Sequence, residues 1–277
     1  SPGQVKFIFQ PAEEGPPPGE EGGAELMIKE GVLTNPDVDA IFGLHISSKS
    51  TAGQVLLKPG SIMAAVDEFR IDLTGVQTHG STPWTGIDPI VTASQMINSI
   101  QTIVSRSMPL TTAAAVVTIG SIHGGVRSNI IPEKLYMLGT IRTLDNSMRA
   151  TVLKRLDEIV QNVAAANNVK ADVTFMNSYP VTYNDPELYE KMLPTLKRVC
   201  GADNVNYMDA ITGAEDFSFF QKEVPGVYFF IGGSSEGMDL DMVAPHHTPD
   251  FYVDDSAIET GVVSMTSLTM DYFTKGL

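Results

Sequence analysis

Glu68-Phe69-Arg70-Ile71-Asp72-Leu73-Thr74 alternates polar and apolar side chains one residue at a time. A period of two marks a strand with one face buried and one face wet, and antiparallel sheets are where such strands occur. Working outward, Asp88 to Arg106 carries apolar residues at Ile90, Val91, Ala93, Met96, Ile97, Ile100, Ile103 and Val104, the spacing of a helix. Ala114 to Ile122 and Lys134 to Thr143 then read as strands. Asn146 to Asn167 reads as a long amphipathic helix capped by Asn146 or Asp145. Lys170 to Tyr179 reads as a last strand. The order β-α-β-β-α-β over residues 66–179 predicts a four-stranded antiparallel sheet with two helices on one face.

The flanks have a different rhythm. Val5 to Phe9 is a short apolar run that predicts a buried strand, followed by a Pro-, Gly- and Glu-rich loop from Pro11 to Gly23. Ala24 to Gly31 predicts a helix stopped by its glycine, and Asp39 to His45 predicts an apolar strand. Beyond Pro180, Pro186 to Cys200 and Ala214 to Lys222 predict helices, Val227 to Ile231 a strand, and Asp255 to Phe273 a terminal helix. The fold class expected is α/β with two domains. One is an α/β domain with parallel strands, built from residues 1–65 and 180–277; the other is the βαββαβ module of residues 66–179 inserted into it.

Composition narrows the function. The 277 residues, 43% hydrophobic and 18% charged, suit a folded globular protein, and that length suits two domains. A formal net charge of −15 argues against a nucleic-acid partner, because phosphate backbones require clustered Lys and Arg. The inserted module also lacks the aromatic-rich strands that stack bases. No apolar run approaches the roughly 20 residues that cross a bilayer, so no membrane partner is expected. Cys200 is the one cysteine, which excludes an internal disulfide and favours a cytoplasmic, reducing compartment, with export left open. At a helix end before Gly201, it reads as a small buried or half-buried residue.

Five histidines are present: His45, His79, His123, His246 and His247. His45 ends an apolar strand, and sites in open α/β sheets lie at the carboxyl ends of strands. Glu13 and Glu14 lie just past another expected strand end, and His246-His247 sits before Pro249 and the final helix. Imidazole and carboxylate together suit a divalent transition metal, with one glutamate holding metal and its neighbour moving a proton. Glu13, Glu14, Glu20 and Glu21 also read as one solvated acidic loop, and spacing alone favours that reading over a metal site. His123, among glycines, reads as loop structure, and Trp84 as packing in preference to a place at a hinge of the inserted module.

Gln10-Pro11-Ala12-Glu13-Glu14-Gly15 resembles the QPAEEG signature of the aminoacylase/carboxypeptidase metallo-hydrolase family, in the branch of hippurate hydrolases and auxin-conjugate amidohydrolases. Further similar motifs follow in the family's order: Phe42-Gly43-Leu44-His45, Thr78-His79-Gly80-Ser81-Thr82-Pro83, Ser128-Asn129-Ile130-Ile131-Pro132, Gly139-Thr140-Ile141-Arg142-Thr143, Gly213-Ala214-Glu215-Asp216-Phe217 and His247-Thr248-Pro249-Asp250-Phe251. The ordered set spans almost the whole chain.

The resemblance implies hydrolysis of an N-acyl or peptide bond beside a free-carboxylate amino acid, by metal-activated water. It implies Glu13 as general base and Glu14, His45 and His247 as ligands of two divalent ions, zinc or manganese, with cobalt or nickel as further options. It implies that His79 polarises the scissile carbonyl from a partner subunit, and that Asn129 and Arg142 bind the substrate's carboxylate and nearby backbone. The inserted module becomes a lid and homodimerisation domain of ferredoxin-like form, and His246 a bystander. Family members also carry a Cys-x-His pair upstream of QPAEEG, and no such pair stands here. The expectation is a fragment of a longer enzyme, inactive alone. The rival expectation is a non-catalytic dimerising or ligand-binding remnant of the same fold.

Overall fold

A computed structural model of the chain describes residues 3–17 and 19–274. Two units divide the chain: Ser1–Met63 with Thr182–Ile211 and Glu215–Leu277, and Ala64–Val181 with Thr212–Ala214.

The first unit begins with a departure from expectation. Val5 to Phe9 forms no strand. Phe7 and Phe9 are 77% and 87% exposed, and Ile8 packs against the apolar cluster around Phe217, Phe220 and Tyr228. Apolar side chains suit a strand, but a strand also needs a neighbour for its backbone, and none of the described strands pairs with this segment. Lys6 holds it instead, its Nζ donating to the carbonyls of Val32, Thr34 and Pro36 at 2.8, 2.8 and 3.0 Å.

Helix α1 (Gly23–Lys29) is followed by β1 (Ile41–Thr51), β2 (Val55–Leu57) and β3 (Gly60–Met63). The chain then enters the second unit with β4 (Ala65–Thr74), β5 (Thr78–His79), α2 (Pro89–Thr102), β6 (Ala115–Gly124), β7 (Ile130–Ile131), β8 (Lys134–Thr143), α3 (Asn146–Ala166) and β9 (Lys170–Tyr179). It returns through β10 (Thr182–Asn184), α4 (Pro186–Cys200), β11 (Val205–Tyr207), α5 (Phe217–Glu223), β12 (Gly226–Ser234) and α6 (Ser256–Thr274).

In the second unit the sheet order is β6-β8-β4-β9, and every pairing is antiparallel. The alternation of β4 does what its period requires: Phe69, Ile71 and Leu73 are buried, meeting Met96 and Ile100 of α2 and Val152 and Leu156 of α3. Each such side chain contributes roughly 1.5–3 kcal/mol by leaving water. Gly139, in the central strand β8, has a structural reason: a Cβ there would lie 2.2 Å from the Phe69 ring. Asp145 caps α3 by accepting from the Met148 amide at 2.8 Å. Two expectations fail here. His123 belongs to strand β6 rather than a loop, stacked on Tyr136 with ring centroids 4.8 Å apart. Trp84 does not pack; its short turn, Pro83–Thr85, is bordered by exposed residues and leaves it 78% exposed.

The four-stranded sheet of the first unit runs β1-β12-β2-β11 and is mixed rather than parallel throughout. β1 is parallel to β12, and β11 to β2, but β12 is antiparallel to β2. The tight turn after Thr51 is the cause: it reverses the chain between β1 and β2, and strands joined so closely cannot run the same way. Val55, Leu57, Phe229, Ile231, Leu196 and Leu268 fill the core between this sheet and helices α4 and α6. Cys200 is half-buried, its Sγ 3.3 Å from Ser264 Oγ. Helix α5 starts at Phe217, three residues later than expected. Asp216, at the capping position, caps nothing, because its carboxylate is bonded elsewhere. No described helix is long and apolar enough to cross a membrane.

Candidate functional site

The loop that carries Glu13 and Glu14 is pinned at both ends by one side chain. Gln10 Nε2 donates to both carboxylate oxygens of Asp216, at 2.6 and 2.7 Å, and the Ala24 amide donates to Oδ2 at 2.7 Å. Gly23 makes this possible: its φ is +67°, and a Cβ there would lie 2.4 Å from Asp216 Oδ2. Ala12, just before the glutamate pair, also holds a left-handed φ of 56°. Non-glycine residues in that region are strained and recur at functional sites.

Glu13 faces acids. Its carboxylate, that of Glu215 and that of Asp216 bring one oxygen each within 4.8 Å of one another, and among the described residues this is the one such group of three or more His, Cys, Asp or Glu side chains. Glu215 is buried, accepting from Tyr228 Oη at 2.7 Å and from the Phe217 amide at 3.2 Å. Burial, and then the charges of Glu215, Glu14 and Asp216, push the Glu13 pKa up to about 8. Burial likewise raises Asp216. The Tyr228 phenol is pushed well above its ordinary value by burial first and by Glu215 second.

Glu14 looks the other way. Its Oε1 lies 3.7 Å from His247 Nε2, with both side chains about three-quarters exposed. His247 adopts a φ of +62°, a second strained non-glycine residue. His45 points its Nδ1 at the carbonyl of its neighbour Ile46, at 2.5 Å, and its ring stands 5.3 Å from that of His246. His246 is no bystander to the architecture: Nε2 accepts from the Ser48 amide at 3.1 Å, and the ring packs 4.6 Å from Phe251. Its pKa is lowered, by burial first and by His45 and His247 next. A carboxylate oxygen and an imidazole nitrogen 3.7 Å apart fit two ligands of one transition ion, since ligand bonds of about 2.0–2.2 Å at tetrahedral angles separate ligand atoms by about 3.5 Å. His45 does not close with Glu14 and His247 to the 4.8 Å spacing of the carboxylate group.

The remaining candidates lie in the second unit. His79 and Asn129 are brought together by the β5–β7 ribbon, in which His79 pairs with Ile130 and the Gly80 amide donates to the Asn129 carbonyl at 2.7 Å. Ser81 steadies the His79 ring through Nδ1, at 2.7 Å from its hydroxyl. Arg142 is elsewhere. β8 pairs with β4 from Thr74↔Lys134, at the ribbon end, to Val66↔Arg142. Those eight steps span about 27 Å.

The chain matches the family described as Peptidase family M20/M25/M40 over residues 1–271. It belongs to that family. Thermostable carboxypeptidase 2 of Saccharolobus solfataricus is 36% identical over 274 residues, which cover 99% of this chain and 67% of the relative. The N-acetyl-L-cysteine deacetylase of Bacillus subtilis is 35% identical over 259 residues, covering 92% of this chain and 58% of the relative. The crystal structure of Bacillus subtilis YXEP, described as a dinuclear metal-binding peptidase of the M20 family, superposes with a TM-score of 0.71 at 28% identity, covering 95% of this chain and 63% of that one. This family member thus spans about two thirds or less of the length of these relatives.

Two site residues of this M20 chain received no role from the sequence. Glu215 and Asp216 were visible as an adjacent acidic pair inside a motif, but nothing local ties them to a loop some two hundred residues earlier. The available signal was the order of the motif: two acids directly before an apolar helix start, where one acid would serve as a cap.

Proposed function

We propose that this chain carries part of the catalytic centre of a metal-dependent amidohydrolase that cleaves an N-acyl or peptide bond beside a free-carboxylate amino acid. The observation that carries this reading is the Glu14–His247 contact at 3.7 Å, one residue from a carboxylate set in an acidic pocket. Glu14 and His247 would hold a divalent ion, zinc or manganese before cobalt or nickel, with His45 as a further ligand that has to move toward them, and two ions per site are proposed. A bound ion would supply Lewis acidity to a water molecule and to the scissile carbonyl.

Glu13 takes the proton from that water and returns it to the departing amine. His79, steadied by Ser81, donates to the carbonyl oxygen as charge develops there. Asn129 and Arg142 take the substrate's carboxylate and the backbone beside it, Arg142 through its two-pronged guanidinium. The placement of Arg142 at the far end of β8 from Lys134, about 27 Å along the strand, supports a homodimer, in which one copy supplies Arg142 and the other His79 and Asn129. On this reading the unit of residues 64–181 is a lid and dimerisation module of ferredoxin-like topology. The relatives' names, a carboxypeptidase and an N-acetyl amino acid deacetylase, support a bond beside an amino acid.

The test is release of free amino acid from N-acetyl, N-benzoyl and dipeptide substrates by the native protein that contains this chain, with and without a chelator. Release that the chelator abolishes and added zinc or manganese restores is the expected result. No release on any substrate, with both metals supplied, overturns the proposal in favour of a non-catalytic remnant.

A further inference from the structure

We infer that Ser81 is a positioning residue for His79: its amide and hydroxyl hold the imidazole as the tautomer with the proton on Nε2, so that the ring presents a donor to the scissile carbonyl. This rests on the role proposed for His79 above. A neutral imidazole carries one proton, on either nitrogen, and the partner of one nitrogen decides what the other can do. Nδ1 of His79 lies 3.1 Å from the Ser81 amide nitrogen and 2.7 Å from the Ser81 hydroxyl oxygen. A hydroxyl can donate or accept, so by itself it decides nothing. A backbone amide can only donate. Nδ1 therefore carries the lone pair, the hydroxyl rotates to donate to it as well, and the proton is left on Nε2.

The local chain sets this up. The Thr82 amide donates to the His79 carbonyl at 2.9 Å, closing a turn over residues 79–82. That turn brings the Ser81 amide back to the side chain two residues earlier. The Gly80 amide, between them, is engaged with the Asn129 carbonyl across the ribbon, and a second turn follows at once, the Thr85 amide donating to the Thr82 carbonyl at 3.0 Å. Among the described residues no hydrogen bond reaches His79 Nε2, and the side chain is exposed. One nitrogen is tied twice and the other is offered. His45 has the opposite arrangement. Its Nδ1 faces the Ile46 carbonyl, which can only accept, so its proton sits on Nδ1 and Nε2 keeps a lone pair. The backbone thus gives the two rings different capacities: an electron pair from His45, a hydrogen-bond donor from His79. With the other tautomer, His79 would turn a lone pair toward the oxygen on which negative charge develops, where a donor is required.

The test uses the native protein that contains this chain, prepared with isotope-labelled histidine. Imidazole nitrogen shifts, recorded in chelator at alkaline pH, report which ring nitrogen carries the proton, and the signal lost in His79→Gln identifies His79. The wild-type signal is expected to be that of the Nε2-protonated tautomer. Ser81→Ala is expected to move it toward a mixture of tautomers. With metal supplied and the best N-acyl amino acid found, the same variant is expected to lower kcat about 3- to 10-fold, the worth of one neutral hydrogen bond, with KM within about twofold. Ser81→Thr keeps the hydroxyl and is expected to restore both the signal and kcat. A wild-type His79 protonated on Nδ1 overturns the inference. A His79 signal that Ser81→Ala leaves unmoved also overturns it, because any loss of rate or of melting temperature then belongs to a structural role. A native protein that hydrolyses nothing yet gives the expected signals is a different result: it removes the proposed function and leaves the hold of Ser81 on the ring established.

Discussion

Asp67 and Glu215 are both buried carboxylates, 2% and 5% exposed, and the chain treats them in opposite ways. Asp67 meets Arg149 through two parallel bonds, at 2.8 and 2.7 Å, and also accepts from the Ser178 hydroxyl. That bridge ties β4 to α3 and β9, and its electrostatics are settled. Glu215 receives neutral donors and stands against two more acids. The cost of burying charge is met by a cation in one unit and, among the described residues, by neutral donors in the other.

The largest expected effect breaks the acidic side of this comparison. Glu13→Gln should lower kcat by about 10²- to 10⁴-fold, while raising the stability of the metal-free protein at neutral pH by about 1 kcal/mol, because folding no longer has to take up a proton at this position. Kinetics and urea denaturation on the same preparation check both halves; a variant that loses stability along with activity contradicts the contrast. Arg149→Ala attacks the compensated side. Removing one partner of a buried pair should cost about 3–5 kcal/mol, read as a lower denaturation midpoint with no displacement of the pH–rate profile. Gly23→Ala tests the anchor beneath the acidic cluster. The residue would have to hold a φ of +67° with its Cβ 2.4 Å from Asp216 Oδ2, so a loss of about 1–3 kcal/mol is expected, with activity falling as the loop shifts.

The smallest effect is the dependence on pH. Glu13 has a folded pKa raised from 4.5 to about 8. Between those values the folded state holds a proton that the unfolded state has released, so stability falls as pH rises. The metal-free protein should lose on the order of 1 kcal/mol across that window once solvent screening is allowed for. Glu13→Gln should flatten the slope; denaturation midpoints taken in chelator at several pH values measure it.

Local pattern made the second unit legible. The alternation of Glu68 to Thr74, the helical spacing after Asp88 and the Asp145 cap are properties of neighbouring residues, and the structure follows them. Whatever depends on a distant partner was hidden. Val5 to Phe9 has the side chains of a strand and no described neighbour, and the direction of β2 was set by a turn rather than by its own residues. The motifs put Glu13, Glu14 and His247 on the page as candidates. They said nothing of what Glu215 and Asp216 touch, because Gln10 and Asp216 are 206 residues apart in sequence. His246 was passed over for the same reason: its bond to the Ser48 amide crosses 198 residues.

The double tether on Asp216 has a consequence for how this chain can change. The stretch from Gln10 to Ala24 is fastened at both ends to a single carboxylate, so its middle is free to lengthen while its roots stay still. A longer closed loop costs little, about 0.6 kcal/mol for each doubling of its length. Residues added after Gly19 would therefore build a new rim beside the acidic group while Glu13 keeps its place. That makes the stretch a point at which descendants, or an engineer, can alter what approaches Glu13 without redesigning the residues around it.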